Sequence, residues 1–227
     1  MQEIKYRVVY SSRRTLAISI LHDASVIVRV PYRTSDKTIT KLINEKAPWI
    51  LKHTENIRNN SQKSPARKYT DGEIHLFRGN EYVLKIEKAI KPYCKITDRI
   101  IELSTAYPDS PDAVRSILYQ FYRKAANAVF PEMLNLILHE KASYGFKVSS
   151  LRIRTMKSRW GSCTGKGVIA INTELIRLDD KYIRYVMMHE LCHLIHHNHG
   201  TGFYNLLSQL CPEWKILRKE LKGFALR

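Results

Sequence analysis

An α+β protein is predicted by three observations. Apolar alternation with a period of two recurs from Ile4 to Leu103, helical spacing takes over from Pro111, and one short alternating segment interrupts the helical half. The expected architecture is an N-terminal antiparallel β-rich region with one helix over residues 1–110. Residues 111–227 then form helices around a small sheet, with an HExxH pattern on one helix. A chain of 227 residues has room for a sizeable core. With 44% hydrophobic and 26% charged residues, disordered, collagen-like and coiled-coil readings are excluded.

Ile4 to Tyr10 and Thr15 to Val30 are rich in Val, Ile and Tyr and read as antiparallel strands closed by Pro31. Ser35 or Asp36 caps a helix whose Ile39, Leu42, Ile43, Ala47 and Ile50 recur at three- and four-residue steps, with Trp49 packed beside them. Thr54 to Thr70 is polar, basic and nearly free of large apolar groups, and reads as a linker. Asp71-Gly72 opens a second strand group, Ile74 to Phe77 and Tyr82 to Ile86, turned at Gly79-Asn80. Further strands are expected near Tyr93 to Ile96 and Ile100 to Leu103.

From Pro111 onward Val114, Ile117, Leu118, Phe121, Tyr122, Ala125 and Val129 trace one helical face that Pro131 kinks or interrupts. Residues 151–157 and 168–172 alternate across a glycine-rich turn and predict a hairpin. Asp179-Asp180 caps the next helix.

Lysine and arginine number 38 against 21 acids, a formal net charge of +17. Such a surplus attracts nucleic acid, nucleotides, acidic proteins or anionic membrane surfaces, and equally describes a solvated basic face, so it names no partner alone. Cys94, Cys163, Cys192 and Cys211 form no CxxC pair and read as free thiols of a reducing compartment. The N-terminus offers no secretory pattern and no apolar run reaches membrane-spanning length, so a cytoplasmic location is expected, without a membrane.

The helix after Asp180 contains His189-Glu190-Leu191-Cys192-His193. Positions four apart stack on one helical face, so both imidazoles can address one ion, while Glu190 lies about 100° round the helix. Two neutral nitrogens then hold zinc, and a carboxylate that is not a ligand takes a proton from the water the zinc acidifies. Ile183, Val186, Met187, Leu191 and Leu194 supply the helical context that this short motif needs.

A catalytic zinc usually has a third protein ligand. His196 would stand about 10.5 Å beyond His189 on a straight helix, and His197 would point elsewhere, so both read as helix-end residues. His199 is the better choice, since Asn198 and Gly200 permit a left-handed reversal toward the ion. Cys192 reads as a small apolar residue, and Cys163 lacks a partner thiol at zinc spacing.

These residues carry a resemblance to the YgjP-like metallopeptidase family, a distant relative of SprT-like and other gluzincin-type zinc proteins. The motifs are Arg159-Trp160-Gly161-Ser162-Cys163, Ile169-Ala170-Ile171-Asn172, Tyr185 to His193, Asn198-His199-Gly200, Phe203-Tyr204 and Pro212-Glu213-Trp214. The resemblance spans nearly the whole chain. It implies a zincin-like region, a Zn²⁺ held by His189, His193 and His199, and Glu190 as general base. Gly200 and Tyr204 stand where such sequences more often have Ser and Trp.

The architecture so implied has a strand beside the active helix, so backbone from Val168 to Asn172 is a candidate for pairing with an extended peptide. Arg159, Trp160 and Asn172 are the candidate substrate-binding residues. Arg152, Arg154, Lys157 and Arg159 make the segment basic, either as a solvated face or to grip an anionic substrate. The leading expectation is a zinc metallopeptidase acting on a peptide or protein. Two others stand beside it: a metal-dependent nucleoside triphosphate pyrophosphatase, and a basic DNA-associated protein with a structural zinc.

Overall fold

The computed structural model describes residues 4–21, 24–63 and 67–224. The chain separates into two units, Met1–Ala66 and Arg67–Arg227.

In the first unit the apolar run Val26 to Val30 is the central strand of its sheet. Strand β1 (Tyr6–Ser11) and β2 (Ala17–Ile20) flank β3 (Val26–Pro31) in the order β1-β3-β2. The pair β2/β3 is antiparallel, but β1 runs parallel to β3, so the sheet is mixed rather than antiparallel. A period of two says which face a side chain takes and nothing about which strand lies next to it. Val26, Val28 and Val30 on one face meet Ile39, Ile43 and Ile50 of helix α1 (Asp36–Lys63). Ser35 caps that helix through Thr38. Trp49 is 44% exposed and packs against His53 instead of joining this core. The helix continues through Lys63, so most of the expected linker is helical and residues 64–66 lie outside the described residues. Glu55, Arg58, Gln62 and Lys63 are good helix formers, but Asn56, Asn59, Asn60 and Ser61 are poor ones and give the segment the composition of a linker.

The second unit begins with a four-stranded sheet ordered β4-β5-β7-β6. Its strands are β4 (Ile74–Phe77), β5 (Asn80–Lys88), β6 (Tyr93–Thr97) and β7 (Ile100–Thr105). The β4/β5 turn falls at Arg78-Gly79, both left-handed with φ 46° and 77°, one residue before the expected position. Helix α2 (Pro111–Glu140) passes through Pro131 without a break. It presents Val114, Leu118, Tyr122 and Phe130 to a core shared with Leu84, Ile101 and Leu103.

This shared core carries a correction to the domain boundary. Residues 67–110 belong with the C-terminal unit, and the division falls at 66/67 instead of 110/111. The hairpin tip shows why. The amide N–H groups of Arg78 and Gly79 donate to the carbonyls of Ile176 and Arg177 at 2.9 and 3.1 Å, and Arg78 pairs with Asp180. A Cβ on Gly79 would lie 3.0 Å from the Cα of Asp179.

A third sheet is formed by β8 (Ser150–Arg154), β9 (Gly161–Cys163) and β10 (Val168–Asn172), ordered β8-β10-β9. The antiparallel hairpin is β9/β10, whereas β8 runs parallel to β10. Residues 151–157 are therefore not the hairpin partner that alternation suggested. Helices α3 (Asp180–Cys192), α4 (Thr201–Leu210) and α5 (Trp214–Leu221) complete the unit. Among the described residues no helix is long and apolar enough to cross a membrane.

Candidate metal centre

Helix α3 starts where Asp179 accepts the amide of Lys181 at 2.9 Å, and it buries Ile183, Val186, Met187 and Leu191. Its start is held by Arg78 on Asp180, and Arg184 reaches Glu140 of α2 at 2.5 Å. This framework fixes His189 and His193, one turn apart, at the helix's C-terminal end.

The helix ends at Cys192 and tightens into three-residue turns. Leu194 and Ile195 donate to the carbonyls of Leu191 and Cys192, and His196 also donates to Cys192 at 2.8 Å. Gly200 has φ −87° and ψ −172°, and Asn198 is not left-handed, so the expected left-handed reversal does not occur. An extended approach to α4 brings His199 back instead.

His189, His193 and His199 each offer a ring nitrogen, all within 4.8 Å of one another. The Nε2 atoms of His189 and His199 are 3.1 Å apart. Metal–nitrogen bonds of 2.0–2.1 Å at tetrahedral angles require about 3.3 Å, so the spacing fits a zinc-sized ion. His193 Nδ1 lies 3.1 Å from the His196 carbonyl, which accepts its N–H and leaves Nε2 for an ion. Phe203, fully buried, lies beneath all three rings at centroid distances of 4.9, 4.7 and 4.6 Å.

Burial, reinforced by the other two imidazoles, pushes His189 down to about 3. It therefore stays neutral, the form a metal needs. Glu190 is 5% exposed, and burial raises its carboxyl to about 8 against the opposing pull of Arg159. Tyr185, whose ring is 6.1 Å from that of His189, is pushed up to about 12 by burial.

The remaining sequence candidates separate. Arg159 is exposed with its charge near Glu190, and Trp160 is half-buried against the core. Asn172 is completely buried. Its amide donates to the carbonyls of Met156 and Arg159 at 2.8 and 3.0 Å, and its oxygen accepts from Glu174 N–H. With each polar atom engaged by backbone, Asn172 shapes the segment before β9 and does not reach a substrate. Strand β10 is flanked on both sides, so it has no edge for a peptide. Among the described residues His196 joins no metal-ligating group: its ring lies against Gly202, and His197 is exposed. Two residues named above only as members of motifs, without a role of their own, bear on the site. A Cβ on Gly161 would lie 2.6 Å from Glu190 Oε1, and Phe203 carried no signal beyond its place near the last histidine.

The family model described as the YgjP-like, metallopeptidase domain matches residues 14–224. No curated protein matches the chain. Among solved structures, the metallopeptidase zymogen abylysin of Pyrococcus abyssi is 21% identical with a TM-score of 0.37, over 41% of this chain and 91% of its own. The metallopeptidase zymogen jannalysin of Methanocaldococcus jannaschii is 25% identical with a TM-score of 0.34, over 40% of this chain and 96% of its own.

Proposed function

The chain belongs to the YgjP-like metallopeptidase family, and from that premise we propose that it is a zinc-dependent peptidase with Glu190 as general base. The observation carrying this reading is the convergence of the His189, His193 and His199 nitrogens within 4.8 Å, next to a buried carboxylate. A divalent ion on these nitrogens supplies Lewis acidity, polarising a carbonyl and lowering the pKa of water to about 7. Glu190 takes the proton from the attacking water and returns it to the departing amine.

The substrate backbone is assigned in this reading to β9. It pairs with β10 on one side only, its first residue faces Glu190, and an extended peptide can add to its open side. In this reading Arg159 and Trp160, immediately before β9 in the chain, touch the bound peptide. Among the described residues the three histidines form the one group of metal-ligating side chains. Imidazoles suit zinc better than the magnesium that phosphoanhydride hydrolysis commonly uses, which ranks a peptide above a nucleotide.

The test compares zinc-loaded wild type with Glu190→Gln on fluorogenic peptide libraries and on nucleoside triphosphates. Glu190→Gln is expected to keep one zinc and lose about 10³-fold in peptide hydrolysis. Undiminished hydrolysis by that variant would sink the assignment. His189→Ala is expected to release the metal.

A further inference from the structure

Beside the metal centre lies a cavity of about 400 Å³ that plays no part in the steps above. Leu194 and Ile195, directly after His193, form one wall, and the turn at 164–167 that leaves β9 forms another. Phe146 and Lys147, on the approach to β8, close the third. No Asp or Glu lines this cavity, while Lys147 and Lys166 both do. Both lysines are exposed, and neither belongs to an ion pair among the described residues. The cavity thus combines a small apolar patch, Phe146, Leu194 and Ile195, with a polar lining that carries two ammonium groups. That combination suits a short aliphatic stem ending in a carboxylate.

Distance along β9 sets where such a group would sit on a substrate. Gly161 faces Glu190, and the cavity begins at Thr164, three residues further along the chain. At roughly 3.3 Å per residue, that is about 10 Å. A peptide on the open edge of β9 advances at the same rise, so a side chain two or three positions from the bond beside Glu190 arrives at the 164–167 turn and enters the cavity across it, toward the wall on the β8 side.

We propose that this cavity is a specificity subsite for an acidic side chain, Asp or Glu, two or three residues from the cleaved bond. The proposal rests on the peptidase reading of the metal centre. Two ammonium groups at a solvent-exposed rim are worth about a fivefold preference.

The test uses zinc-loaded full-length protein and fluorogenic peptides differing only in Glu, Gln or Lys at each position within three residues of the cleaved bond. Wild type is expected to favour Glu over Gln by about fivefold in kcat/KM at one position two or three residues away. The ratio should shrink toward one in roughly 1 M salt. The double variant Lys147→Glu, Lys166→Glu should invert it in favour of Lys, and if that protein folds poorly, Lys147→Gln and Lys166→Gln singly should each reduce it. Cleavage without charge preference overturns the subsite, as does a preference untouched by these substitutions. If zinc-loaded wild type cleaves no peptide, the peptidase reading fails separately. Fluorescence anisotropy with Glu190→Gln then decides the cavity: about fivefold tighter binding of the Glu peptide supports it, and equal binding overturns it.

Discussion

Gly161 leaves open the space into which the Glu190 carboxylate fits. A Cβ at residue 161 would lie 2.6 Å from Glu190 Oε1, 2.9 Å from its Cγ and 2.9 Å from a Val186 methyl. The backbone of β9 and the proposed base are therefore fitted to each other without an intervening side chain. Gly161→Ala must push the carboxylate aside, and a displacement near 1 Å at a reacting group can cost about 10²-fold in rate. Expected is a fall of that order in kcat with the zinc content unchanged, measured by steady-state kinetics and elemental analysis. A variant with wild-type kcat would show that Glu190 does not need this position.

The buried pair formed by Arg177 and Glu174 sits in the turn that receives the β4/β5 hairpin tip. Their side chains are 10% and 1% exposed and meet at 2.5 Å. Removing Arg177 takes the counter-charge from Glu174, which keeps a hydrogen bond with Tyr119 in a poorly solvated site, so the cost lies toward the low end of about 3–5 kcal/mol. Arg177→Met should destabilise folding by about 3 kcal/mol in urea titrations. Replacing both residues with apolar ones should cost much less than two such losses, and simple additivity would contradict the buried-pair account.

The start of α3 and the meeting of two histidines on its face were legible in the sequence because both depend on local spacing. Asp179 announced the start of α3, and the four-residue separation of His189 and His193 followed from helical geometry alone. Strand neighbours were not legible. The same alternating pattern serves a parallel pair such as β1/β3 and an antiparallel pair such as β9/β10. His199, preferred over His196 and His197, does lie with His189 and His193, although the chain reaches it without the left-handed turn that Asn198 and Gly200 suggested. Asn172 was misassigned because its polarity does not distinguish a ligand from a buried backbone partner. Gly161 concealed its role for the opposite reason: an absent side chain matters only once the group facing it is known.

The cysteines predict how stability depends on alkali. Burial pushes Cys94 and Cys192 up to about 12 from an ordinary 9.0. The unfolded chain gives up these protons first, so stability is full below about pH 9 and declines as the pH rises toward 12. Each thiol should contribute a loss of about 1 kcal/mol between pH 8 and pH 10. Urea titrations at the two pH values should therefore show a smaller drop for Cys94→Ala than for wild type. An equal drop in both proteins would mean that Cys94 ionises freely when folded. Labelling gives an independent check, since at pH 7.5 iodoacetamide should leave both residues unmodified until urea is added.

Phe203 offers a measure of how far the three imidazoles are held in place before any ion arrives. Its ring is fully buried and within 5 Å, centroid to centroid, of all three. Each ring must keep one nitrogen turned toward a common point, and the His196 carbonyl anchors only His193 by a hydrogen bond. For His189 and His199 the apolar floor supplies much of the restraint. Phe203→Leu keeps an apolar residue there but removes the flat surface, so the rings gain freedom that metal binding must then remove. Zinc affinity, measured by competition with a chromogenic chelator, should fall by roughly 10-fold or more, as when other supports of metal ligands are removed. Unfolding of the metal-free protein separates this from simple loss of packing, which should amount to about 1 kcal/mol. Zinc affinity within twofold of wild type would show that the histidine backbone positions alone organise the centre.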